Sequence, residues 1–219
     1  MQYIIMCGGE YTKWKEPRQL LPINGEPIVA RTIRLLNEAG VKDVYISSHD
    51  SRFEEYAPVL YHANRYEAGD GNNGYWTDCF YPTDTPTCYI FGDVIFSPAA
   101  IRKIVETETD DIQFFASAPP FTHNYIKKWA EPFALKVVNQ DHLKSAIRMT
   151  EIFQKQGMFK RKPIMWELWQ VITVHQLNDI DYSSYIHIND YTCDVDSPGD
   201  LKQIEQYVPY EIKEGTVSV

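Results

Sequence analysis

The loop Cys7-Gly8-Gly9-Glu10-Tyr11-Thr12-Lys13-Trp14-Lys15-Glu16-Pro17-Arg18 follows directly on the apolar run Tyr3-Ile4-Ile5-Met6. Paired glycines after a strand let backbone N–H groups approach an anion, and successive amides form a concavity suited to phosphate. Lys13 and Arg18 add mobile positive charge to the same loop. The spacing matches neither G-x-x-x-x-G-K-[ST] nor G-x-G-x-x-G, so this is not a P-loop or a dinucleotide fingerprint. A second set of residues is acidic. Asp93 ends the run Tyr89-Ile90-Phe91-Gly92, and Asp194 and Asp196 lie in Cys193-Asp194-Val195-Asp196-Ser197-Pro198-Gly199-Asp200-Leu201.

The context makes the loop specific. Strand, glycine loop, cation, then Pro17-Arg18-Gln19-Leu20-Leu21-Pro22-Ile23-Asn24-Gly25-Glu26-Pro27-Ile28 and a helix resembles the opening of the nucleotidyltransferases with a GT-A-type fold. Among these, the small-molecule-phosphate cytidylyltransferases are the nearest in pattern. That family usually places Arg at the Lys13 position and Lys at the Arg18 position, so the two cations are exchanged here with net charge kept. Tyr89-Ile90-Phe91-Gly92-Asp93-Val94 is similar to the family's strand-ending Gly-Asp, and the segment around Asp194 to its closing D-x-D-[TS]-P-x-D-L.

The resemblance implies transfer of a nucleoside monophosphate, CMP from CTP ahead of UTP or GTP, to a small phosphomonoester with release of pyrophosphate. Mg²⁺ is the implied cofactor, on Asp93 with Asp194 as first choice and Asp196 as second. Lys13 and Arg18 would hold the β- and γ-phosphates. Cys7, Gly8, Gly9 and Glu10 of the loop, with Asn72 and Asn73, would line the nucleotide. The Gly71-Asn72-Asn73-Gly74 stretch is similar to a segment of the phosphocholine cytidylyltransferase branch, and is equally good turn chemistry. On the acceptor side, Lys127-Lys128-Trp129-Ala130-Glu131-Pro132-Phe133 resembles the family's Glu-Pro-Phe stretch. Lys128, Trp129, Glu131 and Lys136 are the residues expected to meet the acceptor. The family setting further implies a cytoplasmic enzyme, a possible homodimer, and products that serve as activated precursors of surface polysaccharide.

These residues require a scaffold that brings strand ends together. Short apolar runs at Tyr3–Met6, Val44–Ser47, Cys88–Phe91 and Gln113–Ser117 alternate with helical patterns at 28–39 and 98–105. Pro27 suits a first helical position and Ser97-Pro98 a capped start. Alternation of this kind predicts a mostly parallel, Rossmann-like central sheet with helices on both faces, and a ligand crevice beyond the strands' carboxyl ends. Residues 1–219 read as a single domain, with 121–174 breaking the rhythm as an acceptor-side insertion that holds a strand over Phe133–Val138 and then helices. Tyr185–Ile188 predicts a strand and Ser197-Pro198 opens a last helix. Asp200 is expected to serve that helix's N-terminus and Asp190 to remain a loop carboxylate.

Composition narrows the partners. The 219 residues carry 21 Lys and Arg against 30 Asp and Glu, a net charge of −9. Such a balance repels nucleic acid and anionic lipid while permitting a small anion in a local basic pocket. No apolar run approaches the ~20 residues of a membrane helix. The four cysteines, Cys7, Cys79, Cys88 and Cys193, lack metal-ligand spacing and read as free thiols. Two other readings use the same residues: a glycosyltransferase on this fold taking a nucleotide-sugar, and a nucleotide-binding protein without catalysis. A nucleotide-sugar has no γ-phosphate for Lys13 and Arg18 to hold, and both sets of charged residues are retained.

Overall fold

The computed structural model describes residues 1–8, 16–62, 75–119, 121 and 129–209. In chain order the strands are β1 (Gln2–Met6), β2 (Pro22–Ile23), β3 (Glu26–Pro27), β4 (Val44–Ser48), β5 (Val59–Tyr61), β6 (Thr87–Phe91), β7 (Val94–Ile95), β8 (Ile112–Ser117), β9 (Pro132–Val137), β10 (Ile186–Ile188) and β11 (Cys193–Asp194). The helices are α1 (Ile28–Glu38), α2 (Pro98–Glu106), α3 (Gln140–Lys155), α4 (Met165–Ile172) and α5 (Pro198–Glu205). Seven strands form one sheet in the order β10-β8-β9-β6-β1-β4-β5. All neighbours are parallel except β9, which runs antiparallel to both β6 and β8.

The two-residue period of the strands sorts the core into two layers. Tyr3 and Ile5 of β1, with Cys88 and Ile90 of β6, pack against Val29 and Leu36 of α1 and Ile101 and Ile104 of α2. The residues between them, Ile4 and Tyr89, face the other way onto Leu143 of α3 and Leu168 and Trp169 of α4. A strand buried on both faces reads as a continuous apolar run, which is why β1, β4 and β6 were visible in the sequence. Trp166 and Trp169 are buried in the second layer. Helix α2 starts on Ser97, whose Oγ accepts from the Ala100 amide at 2.9 Å. Pro27 stands one residue before α1 rather than in its first turn, and Gly40, at φ +89°, follows its end.

The 121–174 segment is not an appendage to this sheet. It supplies β9, which lies between β8 and β6, and the two helices of the second layer. A third, smaller core ties the first loop to the C-terminal part of the chain. Leu21, Ile23 and Ile28 pack there with Ile95, Cys193, Val195 and Ile204. Strands β2 and β3 meet through an Asn24-Gly25 turn with φ values of +50° and +81°, the two left-handed residues that a tight two-residue hairpin needs. Among the described residues no helix is long and apolar enough to cross a membrane.

Candidate active site

Asp93 and the Asp194–Asp196 segment, about a hundred positions apart in the chain, are joined by a small ladder. β7 pairs antiparallel with β11, Val94 opposite Asp194, and the Val195 amide donates to the Asp93 carbonyl at 2.9 Å. Gly92 sets the turn that presents Asp93. A Cβ at that position would lie 2.4 Å from the Met6 carbonyl oxygen and 2.8 Å from Cys7 Sγ, so only glycine lets β6 end against β1. On the other side, Asp200 Oδ2 accepts from the Asp196 and Ser197 amides at 3.0 and 2.9 Å, and Ser197 Oγ accepts from the Asp200 amide. Asp200 therefore caps α5 as expected and fixes the backbone of Asp196. Asp190 accepts from Ser97 Oγ and the Thr192 amide, holding the loop before β11.

Glu131, Asp194 and Asp196 bring one carboxylate oxygen each to within 4.8 Å of one another. Residues two apart on extended backbone share a face, so Asp194 and Asp196 join the same cluster rather than standing as alternatives. Glu131 comes from the start of β9. Its amide donates to Ser117 Oγ at 2.8 Å and its carbonyl accepts from the Ser117 amide at 2.9 Å, which locks a residue that is only 5% exposed. Three hard oxygen donors converging from two elements fit Mg²⁺ or a similar divalent cation. The sequence pointed Glu131 at the acceptor; its place in the carboxylate cluster carries no local signal.

Arg18 connects this cluster to Asp93. Its Nη2 lies 2.8 Å from Asp93 Oδ2, while Nη1 lies 3.2 Å from Asp196 Oδ1 and donates to the Val195 carbonyl at 3.0 Å. The side chain leaves a short 3₁₀ turn, Arg18–Leu20, closed by Leu20 N–H to the Pro17 carbonyl and Leu21 N–H to the Arg18 carbonyl. Arg18, Gly8, Gln19, Trp76, Gly92 and Asp93 are among the residues around a cavity of about 100 Å³ at the carboxyl ends of β1, β4 and β6. Trp76 stacks on Phe91 there, with ring centroids 6.1 Å apart. The lining thus combines charged side chains with aromatic ones.

Cys7 is a correction. It is fully buried, its amide donates to the Ser47 carbonyl at 2.8 Å, and its carbonyl accepts from Ser48 Oγ at 3.0 Å. Burial, then the nearby Asp93 charge, pushes its thiol well above the usual range. Cys7 holds β1 to β4 beneath the loop, and its amide is not available to a phosphate. Lys136 is a second correction. It is 4% exposed, and its Nζ donates to the Val105 and Thr107 carbonyls at 3.0 and 2.7 Å. Because β9 is antiparallel, Glu131 stands at the crevice and Lys136 at the far end of the sheet, about 17 Å of strand away. It cannot meet an acceptor at the crevice. Trp129 is 57% exposed two residues before Glu131. Gly9, Glu10, Lys13, Asn72, Asn73 and Lys128 lie outside the described residues.

Solved structures share the fold of nearly the whole chain. It superposes on the inositol-1-phosphate CTP transferase from T. maritima with a TM-score of 0.59 at 12% identity, covering 95% of this chain and 97% of that one. On the CTP:phosphocholine cytidylyltransferase from Streptococcus pneumoniae it gives 0.54 at 14% identity, covering 94% and 98%. No curated protein matches it by sequence. The family model of the MobA-like NTP transferase domain matches residues 3–123, from the first strand through the glycine loop and Asp93, and the chain belongs to that family.

Proposed function

We propose that the protein is a Mg²⁺-dependent cytidylyltransferase that moves CMP from CTP to a small phosphomonoester and releases pyrophosphate. The observation that carries this reading is the Arg18 guanidinium spanning Asp93 and Asp196 at the crevice of an NTP-transferase fold. The names of the two solved relatives, both CTP transferases, support cytidine as the nucleoside and a small phosphorylated alcohol as acceptor.

In the reaction an acceptor phosphate oxygen attacks the α-phosphorus of the nucleotide. A new phosphorus–oxygen bond forms, the bond to the bridging oxygen of the β-phosphate breaks, and pyrophosphate leaves. The acceptor is already an anion at neutral pH, so no general base is required, and the chain's task is positioning and charge neutralisation. Glu131, Asp194 and Asp196, with Asp93 beside them, would hold Mg²⁺, which would offset phosphate charge when bound. Arg18 would exchange its carboxylate partners for β- and γ-phosphate oxygens, joined by Lys13. The Gly8-Gly9 amides and the Asn72-Asn73 amides would hold the rest of the nucleotide. Lys128 and the exposed indole of Trp129 would form the acceptor edge beside Glu131. An enzyme of this kind would work in the cytoplasm on precursors of surface polysaccharide.

The test is a pyrophosphate-release screen of the four NTPs against a panel of sugar, alditol, inositol and choline phosphates, with and without Mg²⁺. CTP with one of these acceptors and Mg²⁺ should release pyrophosphate. Tight nucleotide binding with no release across the panel would leave only a binding protein.

A further inference from the structure

Gln19 follows Arg18 in the 3₁₀ turn and lines the same cavity as Asp93 and Trp76. The residue is 4% exposed, and its Oε1 is buried with no hydrogen-bond partner among the described residues. The turn that holds it is closed by two backbone hydrogen bonds, of 2.9 and 3.0 Å, so the side chain is presented from a fixed backbone. A buried acceptor without a donor is costly, and a molecule bound in the cavity that Gln19 lines can supply the donor.

The chemistry of the missing donor is restricted. Nucleotide phosphates and the cluster's carboxylates offer only acceptors near neutral pH, so neither satisfies a carboxamide oxygen. On a nucleoside triphosphate the donors are the ribose hydroxyls and the N–H groups of the base. The lining of the cavity also includes Trp76 and Phe91, surfaces suited to a planar ring. We propose that Gln19 is a specificity-determining residue that accepts a hydrogen bond from the 4-amino group of cytosine and so selects an amino pyrimidine over uracil. Uracil sets a carbonyl oxygen where cytosine carries that amine, and two acceptors would then face each other in a dry site. The inference rests on the nucleotidyltransferase reading above and deepens it.

The test measures binding by isothermal titration calorimetry with the full chain and Mg²⁺, without acceptor, for CTP, UTP, 2′-deoxy-CTP and 3′-deoxy-CTP. The wild-type protein should prefer CTP over UTP, and Gln19→Leu should reduce that preference by about 10- to 100-fold, mainly through weaker CTP binding. Gln19→Glu keeps an acceptor at the same position. Its added charge should weaken both nucleotides while preserving their ratio, so the ratio is read even where the leucine variant does not fold. The deoxynucleotides should show the same dependence on Gln19 as CTP. An unchanged CTP-to-UTP ratio in Gln19→Leu, or a ratio lost in Gln19→Glu, overturns the assignment. An effect of Gln19 that disappears with either deoxynucleotide transfers the contact to a ribose hydroxyl and overturns it too. A wild-type protein that binds both pyrimidine nucleotides equally defeats the role of Gln19 alone, whereas one that binds no NTP defeats the function with it.

Discussion

Arg18 and Lys136 are two cations at opposite ends of one sheet, and their charges are met in different ways. Arg18 faces the side-chain carboxylates of Asp93 and Asp196 at about a quarter exposure. Lys136 is buried, and its Nζ donates to two main-chain carbonyls, Val105 in the last turn of α2 and Thr107 just after it. Burial lowers the Lys136 pKa from its ordinary value, countered in part by the neighbouring Cys88. A carboxylate partner can be released to a metal ion and replaced by a phosphate; a backbone carbonyl in a folded segment has nowhere to go. The same residue class is therefore exchangeable at the crevice and structural at the far end.

The largest expected effect lies on the exchangeable side. Asp93→Asn keeps the shape of the turn but removes the charge that meets Arg18 and, in the proposed reaction, stands beside the metal. Turnover in the pyrophosphate assay should fall by about 10² or more. A variant with near wild-type turnover would place the essential carboxylates entirely within the Glu131, Asp194 and Asp196 cluster.

Arg18→Ala should cut kcat/KM for the nucleotide by about 10- to 100-fold, as loss of a charged hydrogen-bonding partner does. Since the guanidinium competes with a cation for Asp93 and Asp196, its removal should strengthen binding of Mn²⁺ alone by a few-fold, read by calorimetry without nucleotide. The gain is small because the pairs are partly exposed to water. Equal or weaker Mn²⁺ binding in the variant would mean that Arg18 and the cation do not contend for the same oxygens.

Lys136→Met should leave acceptor KM and turnover unchanged while lowering stability by about 1–3 kcal/mol, from two part-buried carbonyls left without their donor. Denaturant unfolding and the same kinetic assay check both halves. A raised acceptor KM at unchanged stability would return Lys136 to the binding site and erase the contrast with Arg18.

What the sequence revealed divides along the same line. The inner parallel strands β1, β4 and β6 were legible because they are buried on both faces, whereas the half-buried edge strand β5 was not, and Asp93, Asp194 and Arg18 each sit in a local pattern. Lys136 was misplaced for a reason that lies in its strand. Hydrophobic alternation marks Pro132–Val137 as a strand but is the same read in either direction, and direction decides which end meets the crevice. The β2–β3 hairpin carried its Asn24-Gly25 signal openly, yet its consequence is long-range: it packs Leu21 and Ile23 on the C-terminal platform and so aims Arg18. Gln19 gave no signal, because an amide between a cation and two leucines is distinguished only by burial.

The far end of the sheet should also announce itself in alkali. Cys88, on β6 opposite Lys136 in the β6–β9 register, is fully buried, and burial pushes its thiol from the ordinary 9.0 up to about 12. A thiol whose folded pKa lies above its unfolded one holds its proton more tightly in the native state. Its contribution to stability is complete below pH 9 and is lost progressively as pH rises toward 12, by at most ~1.4 kcal/mol per pH unit. Tyr3, paired with Cys88 on the neighbouring strand, is raised in the same direction by burial, so the two slopes add. Cys88→Ala should flatten the fall of unfolding free energy between pH 9 and 12 without altering nucleotide binding at pH 7. A slope unchanged by this substitution would show that alkaline unfolding begins elsewhere, and that the quiet end of the sheet is not held together by keeping its buried groups neutral.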